Sequence, residues 1–497
     1  MQGKNDQQDQ IETIVGLHNY IPDDNILKKV GLILKTGWVH EMVRDCYEQN
    51  VGRPSVDPEA ALRLMLSGFL LGIVHDRELM RRAATDIAIR WFCGYKLADR
   101  LPDHSSLTRT RQRWGKELFR EMFQRIVRMC VEEGLVGCDT IHVDSTLIRA
   151  NVSIKSMVDE YIVKSMEENI EDEEKSDDGD EGKGGVEQKG PQNGPRKTGK
   201  LRKRKRGRSR KRKRSATDPD VVMSKSSKGG RFIPAYKGHL AVDDRCGVVV
   251  DVAVTEGSVN ENTQLIDQVE RLIDVTGKEV GKVTADAQYA TGANFSDLEA
   301  MGIDPVIPVQ PEKKKSKRIP ARRFKYDEMH DHVVCPNGRK LQRVKKQYRG
   351  WVYSSTARDC RGCPLRDRCL YEGVVVRRIY IADGHPSLTR ARRRKDRWRE
   401  ECSETYRRHR WIVEGRIAEA KLRHGMARAV RRGLDNVSVQ MLLAAMAINL
   451  KRLASSLFMP SAGLLERLIG VFIGLCEDCV RIPAVMPVQL KPLQQMG

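Results

Sequence analysis

Three acidic residues, far apart in the chain, are the strongest candidates for chemistry. Asp144 follows the alternating stretch Ile141-His142-Val143 within residues 140–150. Its β-branched residues and period of two predict a buried strand that ends on the carboxylate. Asp286 closes a second such stretch, Lys282-Val283-Thr284-Ala285, and Glu414 lies on a much later helical segment. A lone Asp in a sheet is costly unless it has a partner, a metal or a strand-end position. Taken singly, Asp144 also reads as a helix N-cap or turn residue. Two strands ending on Asp, with a helix-borne acid beside them, make three carboxylates at the open edge of one sheet. That is the hard-oxygen donor set of a divalent-metal site.

Other groups surround this constellation. Arg410, Glu414 and Lys421 share one face of a 3.6-residue period, with Ile412, Ile417 and Leu422 turned away toward a core. The same pattern fits a salted surface face, and Glu404 and Glu419 are rival acids. Cys335, Cys360, Cys363 and Cys369 combine one Cys-x-x-Cys with two outlying thiols. They suit either a structural Zn2+ or ordinary reduced cysteines. Asp103 to Ser106 should cap a helix whose exposed face carries Arg109, Arg111 and Arg113. That face would meet DNA phosphates or be merely solvated.

The elements that must position these residues follow from the rest of the chain. It has 497 residues and a net charge of +22, enough for two or three domains and basic enough to imply a polyanionic partner. The N-terminus lacks a signal-peptide core, and no apolar run reaches the roughly eighteen residues of a spanning helix. A soluble, intracellular protein whose better partner is nucleic acid, not a membrane, is therefore expected.

Residues 1–136 read as a helical domain, with Asp57 capping a helix that starts at Pro58. Residues 137–156 and 218–310 read as an α/β domain. Its expected order is strand, hairpin, helix, strand, helix, strand, so that the Asp144 and Asp286 strands lie parallel and adjacent. Between these two parts, residues 157–217 run from acidic to almost wholly Lys and Arg. Such blocks stay solvated, and this stretch is expected to be disordered and to hold nucleic acid without reading sequence. Residues 311–400 read as a basic, strand-poor, Cys-bearing insert that lacks the apolar residues for a core of its own. Residues 401–455 return to helix, including the fully apolar stretch Met441–Leu450, and 456–497 form an apolar helical tail.

In this order the motifs resemble those of bacterial insertion-sequence transposases of the DDE type over nearly the whole chain. The resemblance rests first on Tyr47, Gly52-Arg53-Pro54-Ser55, Asp57-Pro58-Glu59-Ala60 and His75-Asp76-Arg77-Glu78-Leu79. It continues through Val143-Asp144-Ser145-Thr146, Thr255-Glu256-Gly257 and Thr284-Ala285-Asp286-Ala287-Gln288-Tyr289. Arg410, Glu414 and Lys421 match the signature around the third acid, but Tyr406 lies four residues before Arg410, where the family usually has three. The long charged insert is a departure.

The resemblance implies an RNase H-like mixed sheet with flanking helices behind an all-helical N-terminal domain. It implies an enzyme that cleaves DNA at the inverted repeats ending an element and joins the freed 3′ ends to target DNA. Two Mg2+ or Mn2+ ions would be held by Asp144, Asp286 and Glu414, with Arg410 and Lys421 on the phosphates. Double-stranded DNA as partner, a homodimer in the active complex and a cytoplasmic, nucleoid-associated location are further implications. The competing reading is a catalytically inactive or nuclease-only DNA-binding protein derived from such a transposase.

Overall fold

Strand β1 (Thr140–Arg149) lies inside the larger of two sheets. The computed structural model describes residues 16–48, 55–159, 213–225, 231–310, 318–395 and 397–458. The expected N-terminus, most of the charged insert and the C-terminal tail from 459 onward lie outside the described residues.

β1 pairs antiparallel with β5 (Phe232–Asp243) on one edge and parallel with β7 (Lys282–Ala285) on the other. Beyond β5 lies β6 (Val249–Glu256), its hairpin partner, and beyond β7 lies β8 (Asp304–Val306), again parallel. The order β6-β5-β1-β7-β8, three antiparallel strands followed by two parallel ones, is the RNase H-like arrangement expected from sequence. β5 is long enough to pair twice. Its first residues take up β4 (Asp218–Lys225), which continues to β3 (Lys213–Ser215) and β2 (Met157–Asp159). These last strands correct the limits of the charged insert. Residues 157–159 and 213–215 belong to the sheet, with 216–217 the turn into β4, because Met157 and Ser215 face each other across an antiparallel pair and are buried.

Helices cover both the sheet and its N-terminal annex. Asp57 accepts the N–H of Ala60 and starts Pro58–Leu71, which ends on Gly72 at φ +75°. A helix from His104 to Glu132 is broken at Gly115, where φ is +66°. Its second half buries Phe119, Met122, Phe123, Ile126 and Val127. Leu434–Phe458 is the one described helix long and apolar enough to cross a membrane, but 67% of its most apolar window is buried. Its Asn449 bonds both the N–H and the C=O of Val249 at 2.8 Å, so β6 and this helix are stitched together through a buried amide. It is a core helix.

The insert after β8 overturns its strand-poor reading. It folds as a five-stranded antiparallel sheet: β9 (Lys325–Asp327), β10 (His332–Val334), β11 (Lys340–Gln347), β12 (Gly350–Ser354) and β13 (Arg378–Ala382). Phe324, Val333, Leu341, Tyr353, Ile379 and Ile381 form its own core. Alternation hid this, because only one face is apolar. β11 buries Leu341 while Lys345, Lys346 and Gln347 stand in solvent. The helix His385–Lys395 then returns to the first sheet, with Arg390 paired to Glu299 at 2.6 Å and Arg394 paired to Asp304.

Candidate active site

Asp144 does not end its strand. β1 runs five residues further, held throughout by β5, whereas the parallel neighbour β7 stops at Ala285. In the β1–β7 register Val143 faces Ala285, so the next step sets Asp144 opposite Asp286 as β7 leaves the sheet. Parallel strands therefore bring the two aspartates to one edge, while the antiparallel strand behind supports the first. Asp144 takes the N–H of Ser145 at 2.7 Å, and Asp286 takes that of Gln288 at 2.8 Å.

Glu414 reaches the same edge from a helix. Glu400–His409 continues through a π-turn, Arg410–Glu414, into Gly415–Arg423. A π-turn absorbs one extra residue, and such bulges recur at functional sites. Eight residues separate Tyr406 from Glu414, one more than the seven that would align them on an α-helix. The bulge removes that excess phase, so Tyr406 and Glu414 both look onto the aspartates. Burial, then the charges of Asp286 and Asp144, push the Tyr406 hydroxyl pKa up. The same bulge corrects the expected core face. Val413 and Ala420 are buried, whereas Leu422 is 85% exposed.

Electrostatics record how closely the acids meet. Burial raises the Asp144 pKa to about 7 against the pull of the Ser145 N–H, with Asp286, Glu261 and Glu414 adding to the rise. Asp286 is also raised, by burial and by Glu261. Lys421 is half-buried, and desolvation lowers its pKa while Asp144 opposes the drop. Arg410 Nε stands 3.6 Å from Glu414, both side chains being largely exposed. The rival Glu419 is committed elsewhere. It contacts Arg416, Lys451 and Arg452 at 2.7–3.1 Å. Burial would raise its pKa, but His424 and Lys451 bring it down to about 2.

Sequence reasoning missed Glu261. It follows β6, which runs parallel to β1 because both are antiparallel to β5. An acid just beyond that strand end was therefore a candidate for the same edge. Its partner is Lys237 on β5, at 2.8 Å. Beneath the acids, a buried chain ties the Glu414 helix to the sheet. His142 Nδ1 lies 2.6 Å from Thr284 Oγ1, which lies 2.9 Å from His409 Nδ1, and the His409 ring stacks on Tyr406. On the far side of His142, Nε2 lies 2.9 Å from Asp244, which Arg408 grips with both Nε and Nη2. Burial holds the His409 pKa near about 3, so this ring is neutral at working pH.

The N-terminal arginines divide. Arg109 is exposed and bonds Ser105 at 3.2 Å, and Arg113 is exposed and lies over the Tyr47 ring at 4.7 Å. Arg111, expected on the same outer face, is buried and paired with Asp76, which also holds Arg431 at 2.6 Å. A helix turns 100° per residue, so alternate positions cannot share one face. The four cysteines, 335, 360, 363 and 369, line one cavity of about 30 Å3 in the second sheet. Cys335 accepts the Arg339 N–H at 3.3 Å, and Ser355 Oγ lies 3.0 Å from Cys360 Sγ.

Two family models match the chain. Transposase domain (DUF772) covers residues 15–113 and Transposase DDE domain covers residues 334–454. The second contains Glu414 and the four cysteines; Asp144 and Asp286 fall between the two matched stretches. No curated protein matches the chain. Among solved structures, a piggyBac transposase synaptic complex with hairpin DNA is similar at 9% identity over 95% of this chain and 86% of that one. Its TM-score of 0.28 is too low for the likeness to carry an argument. A transposase domain matched toward each end makes the chain similar to DDE transposases of insertion sequences and supports that reading of it.

Proposed function

We propose that the chain cuts DNA at the ends of its element and joins them to target DNA, with Asp144, Asp286 and Glu414 as the catalytic acids. One observation carries the reading: the register that sets Asp144 against Asp286 where β7 leaves the sheet, with Glu414 close enough to help raise the Asp144 pKa to about 7. The donor set fits divalent cations. Its carboxylates are hard oxygen ligands, and burial first, then the neighbouring carboxylates, raise the pKa of Asp144 and of Asp286. Mg2+ or Mn2+ held by Asp144, Asp286 and Glu414 would supply activation of the attacking hydroxyl and charge neutralisation at the leaving oxygen.

The chain's own residues do the rest. Arg410 and Lys421 hold phosphate oxygens, Arg with its planar fork and Lys as a point charge. Tyr406 offers a ring and a hydroxyl beside them, and the His142–Thr284–His409 chain fixes the height of Glu414 over the sheet. Arg109 and Arg113 contact the DNA backbone away from the site, which positions the duplex without reading it. Asp144→Asn, Asp286→Asn and Glu414→Gln should each abolish Mg2+-dependent cleavage of a terminal-repeat duplex and transfer of a precut end. Each should leave binding of that duplex within about twofold. Wild-type cleavage in any variant removes that residue from the site. Cleavage without transfer of the precut end reduces the enzyme to a nuclease.

The cysteine cavity supports a structural reading beside the catalytic one. Cys335, Cys360, Cys363 and Cys369, which share the cavity although no three of their sulfurs lie within 4.8 Å of one another, would draw together on one Zn2+, with the Arg339 N–H bonding a thiolate sulfur as a supporting donor. Because the second sheet has its own core, the metal trims the end of that sheet without creating it. Elemental analysis of protein purified without chelator should give about one zinc per chain at these thiols. Four freely titrating thiols and no zinc overturn the assignment.

A further inference from the structure

The turn between β9 and β10 gathers a donor set of a different kind. Asp327 ends β9 and His332 begins β10, directly across from it in the antiparallel register. His330 lies in the turn between them. Asp327 Oδ2 is 2.9 Å from His330 Nδ1 and 3.8 Å from His332 Nε2. One donor atom from each of the three residues lies within 4.8 Å of the other two, the one such group among the described residues.

Surrounding bonds aim these atoms. Asp327 Oδ1 is occupied by the N–H groups of Met329 at 3.1 Å and His330 at 3.3 Å, which leaves Oδ2 facing the two rings. His332 is 5% exposed. Its Nδ1 lies 3.4 Å from the His330 carbonyl, so a proton there leaves the Nε2 lone pair directed at Asp327. A ring that donates one nitrogen to a backbone carbonyl and offers the other is the usual setting of a metal-ligating histidine. The turn is braced from behind. Asp331, at φ +46°, accepts from Tyr326 at 3.1 Å and from Tyr353, and pairs with Arg343 at 2.8 Å.

We propose that Asp327, His330 and His332 bind a divalent transition-metal ion. Two imidazoles and one carboxylate select Zn2+, Ni2+, Cu2+ or Co2+ over Mg2+ and Ca2+. Metal–nitrogen and metal–oxygen bonds of about 2.1 Å put tetrahedral ligand atoms about 3.4 Å apart, between the two distances seen here. A simple Asp–His ion pair accounts for the 2.9 Å contact. It does not account for a buried second histidine at 3.8 Å, too far for a hydrogen bond and suited to sharing an ion. Three ligands leave one position open to water, and the ion would clamp the β9–β10 turn at the edge of the second sheet. This site is independent of the acids at β1 and β7 and of the four cysteines.

The test uses the full chain and Co2+ as probe. Titration should show weak visible bands from a nitrogen–oxygen site besides any thiolate-to-cobalt absorption from the cysteines. His330→Ala and Asp327→Asn, both at solvent-accessible positions, should each weaken the nitrogen–oxygen component at least tenfold with the thiolate absorption unchanged. Cys360→Ser should do the converse. Millimolar Mg2+ should leave the nitrogen–oxygen component in place. Equal Co2+ binding by wild type and both turn variants overturns the proposal, as does displacement of the bound Co2+ by Mg2+.

Discussion

Asp144→Asn should stabilise the metal-free protein while destroying its activity. The Asp144 pKa is raised from the ordinary 3.8 to about 7, so ionising this carboxyl costs more in the folded chain than in the unfolded one. Well below pH 4, at about pH 2, the group is protonated in both states and carries no penalty. As pH rises toward 7 the unfolded chain loses its proton first, and stability falls across that window. Above pH 7 the whole gap applies, an upper limit of roughly 4 kcal/mol. Asn keeps an oxygen to accept the Ser145 N–H and carries no charge beside Asp286, Glu261 and Glu414. At pH 8 without metal, the variant should therefore be more stable by about 2–4 kcal/mol, a rise in melting temperature of several degrees. The advantage should shrink to below about 1 kcal/mol near pH 4. Added Mg2+ should raise the melting temperature of the wild type by mass action and leave the variant unmoved. Paired thermal melts at pH 4, 6 and 8, with and without Mg2+, decide it. A variant no more stable than wild type at pH 8, or an advantage that does not shrink on acidification, would refute the burial of this carboxyl beside its acidic neighbours.

Three further outcomes are expected. His409→Ala removes a buried ring between Thr284 and Tyr406, so stability should fall by roughly 2–4 kcal/mol, read by denaturant melts. Cleavage rate should fall with it while duplex affinity, read by fluorescence anisotropy, holds; unchanged cleavage would free Glu414 from this support. Glu419→Ala strands Arg416, Lys451 and Arg452 and should cost about 3 kcal/mol. The exposed Glu414→Ala should stay within about 0.5 kcal/mol of wild type in the same melts yet lose cleavage. Removing residues 160–212, and sparing the paired strands on either side, should flatten the salt dependence of DNA binding. The log–log slope should drop by about 0.9 for every phosphate that the basic run neutralises. An unchanged slope would mean that the run does not touch DNA.

The sequence disclosed the centre of the sheet because β1 and β7 carry a clean period of two and end their parallel pairing on aspartates. The hairpin β5–β6 and the helix Leu265–Thr276 were legible for the same reason. The second sheet was not, since its strands are short, half solvated and rich in Lys and Arg. Only Leu341, Val333, Tyr353 and the two isoleucines on β13 betray a core once they are brought together. The persistence of β1 past Asp144 depends on β5, about ninety residues away, and no local pattern encodes it. Glu261 was hidden because it follows its strand by five residues on a short helical turn. The phase of Tyr406 depended on a π-turn, which leaves no mark in the residues themselves.

Iron-directed cleavage of the polypeptide tests the central claim most directly. Fe2+ in place of Mg2+, with ascorbate and peroxide, generates radicals that cut the backbone beside the bound metal, and fragment mapping reads the positions. If Asp144, Asp286 and Glu414 share one metal site, cuts should appear near all three. Excess Mg2+ and the Asp144→Asn substitution should each suppress all three together. Cuts confined to the Asp327–His332 turn, or cuts near one acid that persist in Asp144→Asn, would contradict it.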